Sequence, residues 1–276
     1  MKKIVFLLIL LLIPMVSAME SGTGSINTSW VTVNFDESFN SVPVVFAQVT
    51  SENEVDPVIV RMKQVNPNGF KFKLQELPGY DNVHSSEDIS WIALEDGEYG
   101  EVGRKSIIQQ NRFQWRTKVF VNNHTNPYLL AQIQTARNMQ PVHVDIKNLI
   151  DSRFRLRLEE FFSLDGIHPR EVVGYFAFEE VDNAEYDSIS VDTNWQYISF
   201  NEEFLNEPSV VAQVTSENEN SGVFVNIRNV TTEGFYVYLM EDPGFDGVHG
   251  YEDVTYLAVG ERPLNIAIID TGSAGI

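Results

Sequence analysis

The chain has 276 residues, no cysteine, and 39 acidic residues against 19 basic ones, which gives a net charge of −20. This acidity repels phosphate backbones and no basic stripe offsets it, so nucleic acid is not an expected partner. The lack of cysteine excludes disulfides, thiol catalysis and the common zinc–cysteine sites.

The first 18 residues have the pattern of a secretory signal peptide. Lys2 and Lys3 form the positive end, Ile4–Ile13 the apolar run, and Val16–Ala18 the small-residue cleavage site. An apolar run of about ten residues is shorter than the ~20 that span a bilayer. The sequence therefore predicts a secreted, extracellular or cell-surface protein without a transmembrane segment after cleavage. An uncleaved anchor is the alternative.

Three stretches of the remaining chain align without a gap over their whole length: Pro43–Glu95, Pro127–Glu179 and Pro208–Gly260. Each has an Ala-Gln pair near its start and an Asp-His-Glu series at three-residue spacing near its end. The series are Asp81/His84/Glu87, Asp165/His168/Glu171 and Asp246/His249/Glu252. This repetition makes the chain an array of one domain type, and it favours several equivalent sites over one catalytic centre.

Alternation of apolar and polar residues predicts β-strands throughout the repeats. In repeat one the predicted strands are Trp30–Phe35, a return near Phe39, Val44–Thr50, Pro57–Val65, Phe70–Glu76 and Ile89–Leu94. Turn residues occur at Asn66–Gly69 in repeat one and at Thr232–Gly234 in repeat three, and they predict that each repeat contains a hairpin at this position. No amphipathic helix is expected.

This pattern predicts an all-β protein of three tandem six-stranded antiparallel β-sandwiches, because each half-buried sheet needs another sheet to cover it. Short polar joints near Gly97–Gly103 and Val181–Asp187 place the domains at 19–98, 99–181 and 182–262. The tail, 263–276, is interpreted either as an added strand or as the stump of a truncated reading frame.

The Asp-His-Glu series contains residue types that bind metals and transfer protons. Residues three apart on a strand point to opposite faces, so one segment directs all three to one point only if a turn intervenes. Three interpretations stay open: a polar network that fixes the loop before the last strand, contact with a sugar or other ligand, and a metal site. The polar network is favoured, and no metal or cofactor is assigned.

Two further sets of repeated residues are expected to be structural. The glutamines of the Ala-Gln pairs and the hairpin glutamates are expected to form hydrogen bonds across buried strands. Trp91, with Tyr175 and Tyr256 at the same position, is expected in the core, with ligand stacking as the alternative. No hydrolase, zinc-protease or phosphate-loop motif is present, so the protein is not expected to be an enzyme.

Three strings of repeat one resemble the H-type lectin domain, the agglutinin family of snails and slime moulds. They are Val42–Thr50 (VPVVFAQVT), Arg61–Lys71 (RMKQVNPNGFK) and Ile89–Ala93 (ISWIA). They are similar to the opening strand, the hairpin and the final strand of that family. The resemblance covers most of each repeat and is weakest in repeat two.

The resemblance implies sandwiches that associate as trimers and bind galactose-type sugars, typically N-acetylgalactosamine, in clefts between subunits. Three repeats in one chain would then form a pseudo-trimer, with separate beads on a string as the alternative. The family's sugar-contacting Arg falls at Arg61, whose equivalents are Asp145 and Asn226. Its Asp ahead of the first-strand Trp matches Asp192.

The resemblance also places His84, His168 and His249 where the family has a sugar-stacking Tyr. The candidate ligand-binding residues are these three histidines, Arg61, Asp192 and Trp91. The expected function is weak, multivalent binding of glycans or glycoconjugates, with self-association or a surface partner. The alternative is a structural or adhesive extracellular repeat protein without a sugar site.

Overall fold

A computed structural model describes residues 19–97 and 99–263 of the chain. The predicted signal peptide and, apart from Pro263, the predicted tail lie outside the described residues. The described part of the chain contains no helix that could span a lipid bilayer.

The described residues form 18 β-strands, six in each repeat. Repeat one contains β1 (Met19–Ile26), β2 (Val31–Asn34), β3 (Val44–Val49), β4 (Val58–Asn66), β5 (Gly69–Glu76) and β6 (Glu87–Leu94). Repeat two contains β7 (Glu101–Gln109), β8 (Arg116–Val119), β9 (Tyr128–Ile133), β10 (Val142–Ile150), β11 (Arg153–Glu160) and β12 (His168–Phe178). Repeat three contains β13 (Ala184–Val191), β14 (Gln196–Ser199), β15 (Ser209–Val214), β16 (Val223–Arg228), β17 (Gly234–Glu241) and β18 (Glu252–Val259).

Each repeat folds its strands into two three-stranded antiparallel sheets. In repeat one the sheets are β1-β6-β3 and β2-β5-β4, and the other two repeats have the same order. Apolar side chains of both sheets pack between them, among them Val45, Phe70, Leu74, Trp91 and Ala93. The predicted all-β class and the six-stranded antiparallel sandwich are confirmed.

One predicted strand was wrong. The strand placed near Phe39 is a loop, in which Phe39 lies in the core and its backbone nitrogen donates to the Pro67 carbonyl at 3.0 Å. The sixth strand is instead Met19–Ile26, which pairs with β6. This edge strand is mostly half-buried or exposed and carries little apolar alternation, so its sequence does not reveal it.

The hairpin turns depend on glycine for a steric reason. A Cβ added at Gly69 would collide with the Val33 carbonyl of the neighbouring strand, and one added at Gly234 would collide with the Ile198 carbonyl. The turn glycines therefore allow the close approach of β2 to β5 and of β14 to β17.

The three repeats pack around one shared apolar cluster. It contains Val44, Phe46, Ile92 and Leu94 of repeat one, Leu130, Phe176 and Phe178 of repeat two, and Val211 and Leu257 of repeat three. In β3, Val45 and Ala47 face the core of their own sandwich while Val44 and Phe46 face this cluster. The sheet is therefore buried on both sides, and the chain forms a pseudo-trimer rather than beads on a string.

The glutamines of the Ala-Gln pairs hold the repeats together. Nε2 of Gln132 donates to the Ala47 carbonyl at 2.9 Å. Nε2 of Gln48 donates to the Val225 carbonyl at 3.1 Å, and that of Gln213 to the Val144 carbonyl at 3.2 Å. The glutamines do form hydrogen bonds, but they are half-buried and their bonds cross between repeats instead of joining strands of one sandwich.

Candidate binding clefts between the repeats

The cyclic packing creates three clefts, each between the hairpin sheet of one repeat and the segment that follows the Ala-Gln strand of another. The first cleft joins β4 and β5 to segment 135–141, through a hydrogen bond of Arg61 to the Gln140 carbonyl. The second joins β10 and β11 to segment 215–222, through Lys147 and Glu217. The third joins β16 and β17 to segment 50–57, through an ion pair of Arg228 with Glu52 at 2.6 Å.

The segment that forms one wall of the third cleft is fixed by the last member of the Asp-His-Glu series. Glu87, 1% exposed, accepts hydrogen bonds from the backbone nitrogens of Asn53 and Glu54 at 2.8–3.0 Å and from the Ser51 hydroxyl. Nε2 of His84 contacts the same carboxylate at 3.1 Å. This network sets the position of the cleft wall.

Repeats two and three use the same arrangement. Glu252 accepts from the backbone nitrogens of Asn218 and Glu219 at 2.7–3.1 Å. Glu171 accepts from the backbone nitrogen of Arg137 at 2.9 Å and from the Thr135 hydroxyl. Burial raises the pKa of Glu171, but its hydrogen bonds with His168, Thr135 and Arg137 outweigh that effect and lower the pKa overall.

The three histidines of the series are completely buried, since none of their side chains has any exposed area. Each lies between the last glutamate of its series and the hairpin glutamate: His168, for example, contacts Glu160 at 2.9 Å and Glu171 at 3.4 Å. The aspartates close local turns, as Asp81 does by accepting from the Val83 nitrogen at 2.8 Å. The geometry is that of a polar network, and contact of these histidines with a sugar would require the loop to open.

Arg61 lies in the first cleft but is only 2% exposed. Its guanidinium donates to the Gln140 carbonyl at 2.6 Å and lies 3.5 Å from the Glu171 carboxylate. The Gln75 side chain beside it donates to the Met139 carbonyl. The arginine assigned to sugar contact therefore joins repeat one to repeat two and fills the first cleft.

The second cleft is filled by charged side chains. Nε of Arg157 donates to Asp145 at 2.7 Å, and its NH2 group to Glu159 at 2.6 Å. Burial and the neighbouring Asp145 raise the pKa of Glu159 well above its usual range. Glu217 of repeat three closes the network at 3.4 Å from Arg157. Arg157 is only 5% exposed, because Glu217 and its segment of repeat three cover it.

The third cleft carries aromatic and amide groups. The half-buried Trp195 packs on Tyr238, with 4.1 Å between ring centroids, and the Arg228 guanidinium lies 3.9 Å from the Trp195 ring. Nδ2 of Asn226 is buried and has no hydrogen-bond partner. Burial, with the negative charge of Glu52, raises the pKa of Tyr238 to about 12, so its hydroxyl remains a neutral donor.

The other two candidates lie elsewhere. Trp91 is 7% exposed and belongs to the core of repeat one, with its ring centroid 5.5 Å from that of Phe70. Asp192 accepts hydrogen bonds from the backbone nitrogen and the side chain of Asn194 at 2.8 and 3.0 Å. Burial raises the pKa of Asp192, yet these bonds and one from Tyr251 lower it overall. Asp192 thus shapes the turn that leads to Trp195.

Sequence reasoning did not assign Trp195, Tyr238, Arg228 or Glu52 to a site. A signal was available, because Lys63, Lys147 and Arg228 occupy equivalent positions two residues after Arg61, Asp145 and Asn226. In each cleft that cation lies over a tryptophan ring: Lys63 over Trp30 at 3.8 Å, Lys147 over Trp115 at 4.0 Å, and Arg228 over Trp195. A repeated cation–aromatic pair on an outward face predicts a common surface.

Two groups of side chains in the described residues have the geometry to hold a metal ion. They are Glu54, Glu76 and His84 in repeat one, and His143, Asp145 and Glu159 in repeat two. Within each group the ligand atoms lie within 4.8 Å of one another.

Among known proteins, the chain is similar to a segment of halomucin from Haloquadratum walsbyi, with 29% identity over 177 residues. The alignment covers 61% of this chain and 2% of halomucin, so the chain spans a very small part of that relative. No family model matches the chain, and no solved structure matches it.

Proposed function

We propose that this protein binds glycans weakly and multivalently, outside the cell or on its surface, with the third cleft as the principal site. The observation that carries the proposal is the combination in that cleft of Trp195, Tyr238 and the unpartnered buried amide of Asn226.

These groups match the chemistry of a sugar. A sugar ring presents an apolar C–H face, which packs against aromatic rings, and a rim of hydroxyls, which need directional hydrogen bonds. The Asn226 amide has donor capacity left unused within the protein. Arg228 and Glu52, each with a 33% exposed side chain, add a donor and an acceptor at the rim.

The other clefts are secondary sites in this proposal. Arg61 and its partner carbonyls occupy the first cleft, and the Arg157 ion network occupies the second. Each still presents a tryptophan with a lysine over its ring. Weak sites on one rigid unit raise the overall affinity through effective concentration, without any new contact.

Two similarities support the proposal. The resemblance to H-type lectins, which bind galactose-type sugars between subunits, fits the position of the third cleft between repeats one and three. The similarity to a segment of halomucin supports an extracellular or cell-surface location.

A glycan array probed with the purified chain tests the proposal, followed by affinity measurement on the best ligand. We expect selective binding to terminal galactose or N-acetylgalactosamine and at least a tenfold loss in W195A. Tyr197 is the matched control, because it is a 45% exposed aromatic residue on β14, outside the lining of the third cleft. Equal affinity of W195A and wild type, with Y197A unchanged, would remove the third cleft from the proposal.

The second candidate is a structural module of a longer extracellular protein. The buried histidine–glutamate networks favour this candidate, because they hold the segments after the Ala-Gln strands in place. The same network occurs in all three repeats. The absence of binding to any glycan, together with a lowered melting temperature in H249Q, would support this candidate instead.

A further inference from the structure

We propose that repeat one binds one divalent transition-metal ion between Nδ1 of His84, Oε1 of Glu76 and Oε2 of Glu54. Nδ1 lies 3.5 Å from the Glu76 oxygen and 4.0 Å from the Glu54 oxygen. Zinc bonds of about 2.0–2.2 Å place two tetrahedral ligand atoms roughly 3.3 Å apart. All three ligand atoms lie within 4.8 Å of one another, so small shifts of these side chains would place them around one ion.

The state of the imidazole supports this assignment. Nε2 contacts Glu87, which already accepts several hydrogen bonds as a carboxylate, so the ring hydrogen belongs on Nε2. In a neutral ring, Nδ1 is then the free ligand atom, and it faces the two other carboxylates. A carboxylate that accepts from the far nitrogen of a metal-bound histidine is a common arrangement around metals, because it fixes the tautomer and the ring orientation.

Two atoms of the group form no hydrogen bond inside the protein. Nδ1 of His84 and Oε1 of Glu76 are buried and form no hydrogen bond, and both side chains have no exposed area. A buried polar atom without a hydrogen-bond partner is costly. A bound cation would satisfy both atoms at once.

The other two repeats close the same position with protein atoms. In repeat two, Asn138 stands where Glu54 stands, and Nδ1 of His168 contacts Glu160 directly at 2.9 Å. In repeat three, the Ser221 hydroxyl lies 2.8 Å from Nδ1 of His249. Among the three histidines of the Asp-His-Glu series, His84 alone keeps Nδ1 without a hydrogen bond.

The second group of potential ligands, in repeat two, does not support a metal in the same way. The Arg157 guanidinium donates to both Asp145 and Glu159. This fixed positive charge already occupies both acidic side chains and would repel an ion. The structure therefore assigns one ion to each chain.

The ligand set indicates the class of ion and its route. One imidazole nitrogen with two carboxylates suits Zn²⁺ and related transition ions better than Ca²⁺, which prefers oxygen ligands only. The Glu54 side chain is 29% exposed, and both Glu54 and His84 line the third cleft, so the ion reaches its ligands from there. This assignment does not depend on whether the cleft binds glycans.

Calorimetric titration of the metal-free purified chain with Zn²⁺, compared with Mn²⁺ and Ca²⁺, tests the proposal. We expect one Zn²⁺ per chain, at least tenfold weaker binding in E54Q, and weaker binding of Ca²⁺. Glu219, at the equivalent position of repeat three, is the matched control, and E219Q is expected to bind as the wild type does. Failure of Zn²⁺ to bind with saturation, or an equal loss in both variants, would overturn the proposal.

Ring-nitrogen NMR of the five histidines distinguishes this site from binding at the protein surface. We expect Zn²⁺ to shift Nδ1 of His84, with no such shift in E54Q. A shift of the His124 or His143 ring in place of His84 would assign the ion elsewhere and refute the proposed ligand set.

Discussion

The joint between repeats one and two depends on the side chain of Gln134, which is 1% exposed. Its Oε1 accepts from the Val45 nitrogen at 2.9 Å and its Nε2 donates to the Val45 carbonyl at 2.8 Å. Gln134 thus supplies the hydrogen bonds that a further strand would make with the open edge of β3. Q134A leaves two buried backbone groups of Val45 without partners, at about 1–3 kcal/mol each.

With the small cavity that truncation creates, we expect Q134A to lower the free energy of unfolding by about 3–5 kcal/mol. Q134M fills nearly the same volume without forming either hydrogen bond, so it separates the polar loss from the packing loss. We expect Q134M to show most of the destabilisation that Q134A shows. Q48A removes one cross-repeat bond from a half-buried side chain, and its expected cost is about 1 kcal/mol.

Urea denaturation, followed by tryptophan fluorescence and circular dichroism, measures these differences. The reasoning is refuted if Q134A costs less than 1 kcal/mol, or if Q134M restores wild-type stability. In the first case the edge of β3 would find water or another partner. In the second case packing, rather than hydrogen bonding, would join the repeats.

Two further variants test the second cleft and the core of repeat one. The folded pKa of Glu159 is raised above its usual value, so its favourable contribution is full at low pH and is lost as the pH rises above about 4.5. E159Q should therefore flatten the fall in melting temperature between pH 5 and pH 9, whereas the exposed control E233Q should not. Equal slopes of melting temperature against pH in wild type, E159Q and E233Q would contradict the raised pKa. A Cβ at Gly22 would lie 2.7 Å from the Trp91 ring, while Gly24 has no neighbour within 4 Å. We expect G22V to cost about 1–3 kcal/mol by overpacking and G24V much less, and a melting temperature of G22V equal to that of wild type would refute the contact.

Local patterns in the sequence were sufficient for the all-β class and the hairpins. Alternation along Phe70, Phe72 and Leu74 predicts one buried face, and turn residues at Asn66–Gly69 predict the hairpin. The edge strand β1 was not predicted, because its residues show no alternation of apolar and polar side chains. The run Val44–Ala47, apolar at every position, already contained the evidence that its sheet is buried on both faces.

The clefts could not be predicted from local sequence patterns, because the two walls of each cleft are far apart in the chain. Arg228 pairs with Glu52, 176 residues away, and Arg61 donates to a carbonyl 79 residues away. No local period predicts which loop covers which hairpin. Repetition and alternation along the chain are enough to predict three sandwiches of one type. Their cyclic packing determined that Arg61 became a buried joint between repeats while Trp195 remained in an open cleft, since burial at an interface depends on the neighbour and not on the residue alone.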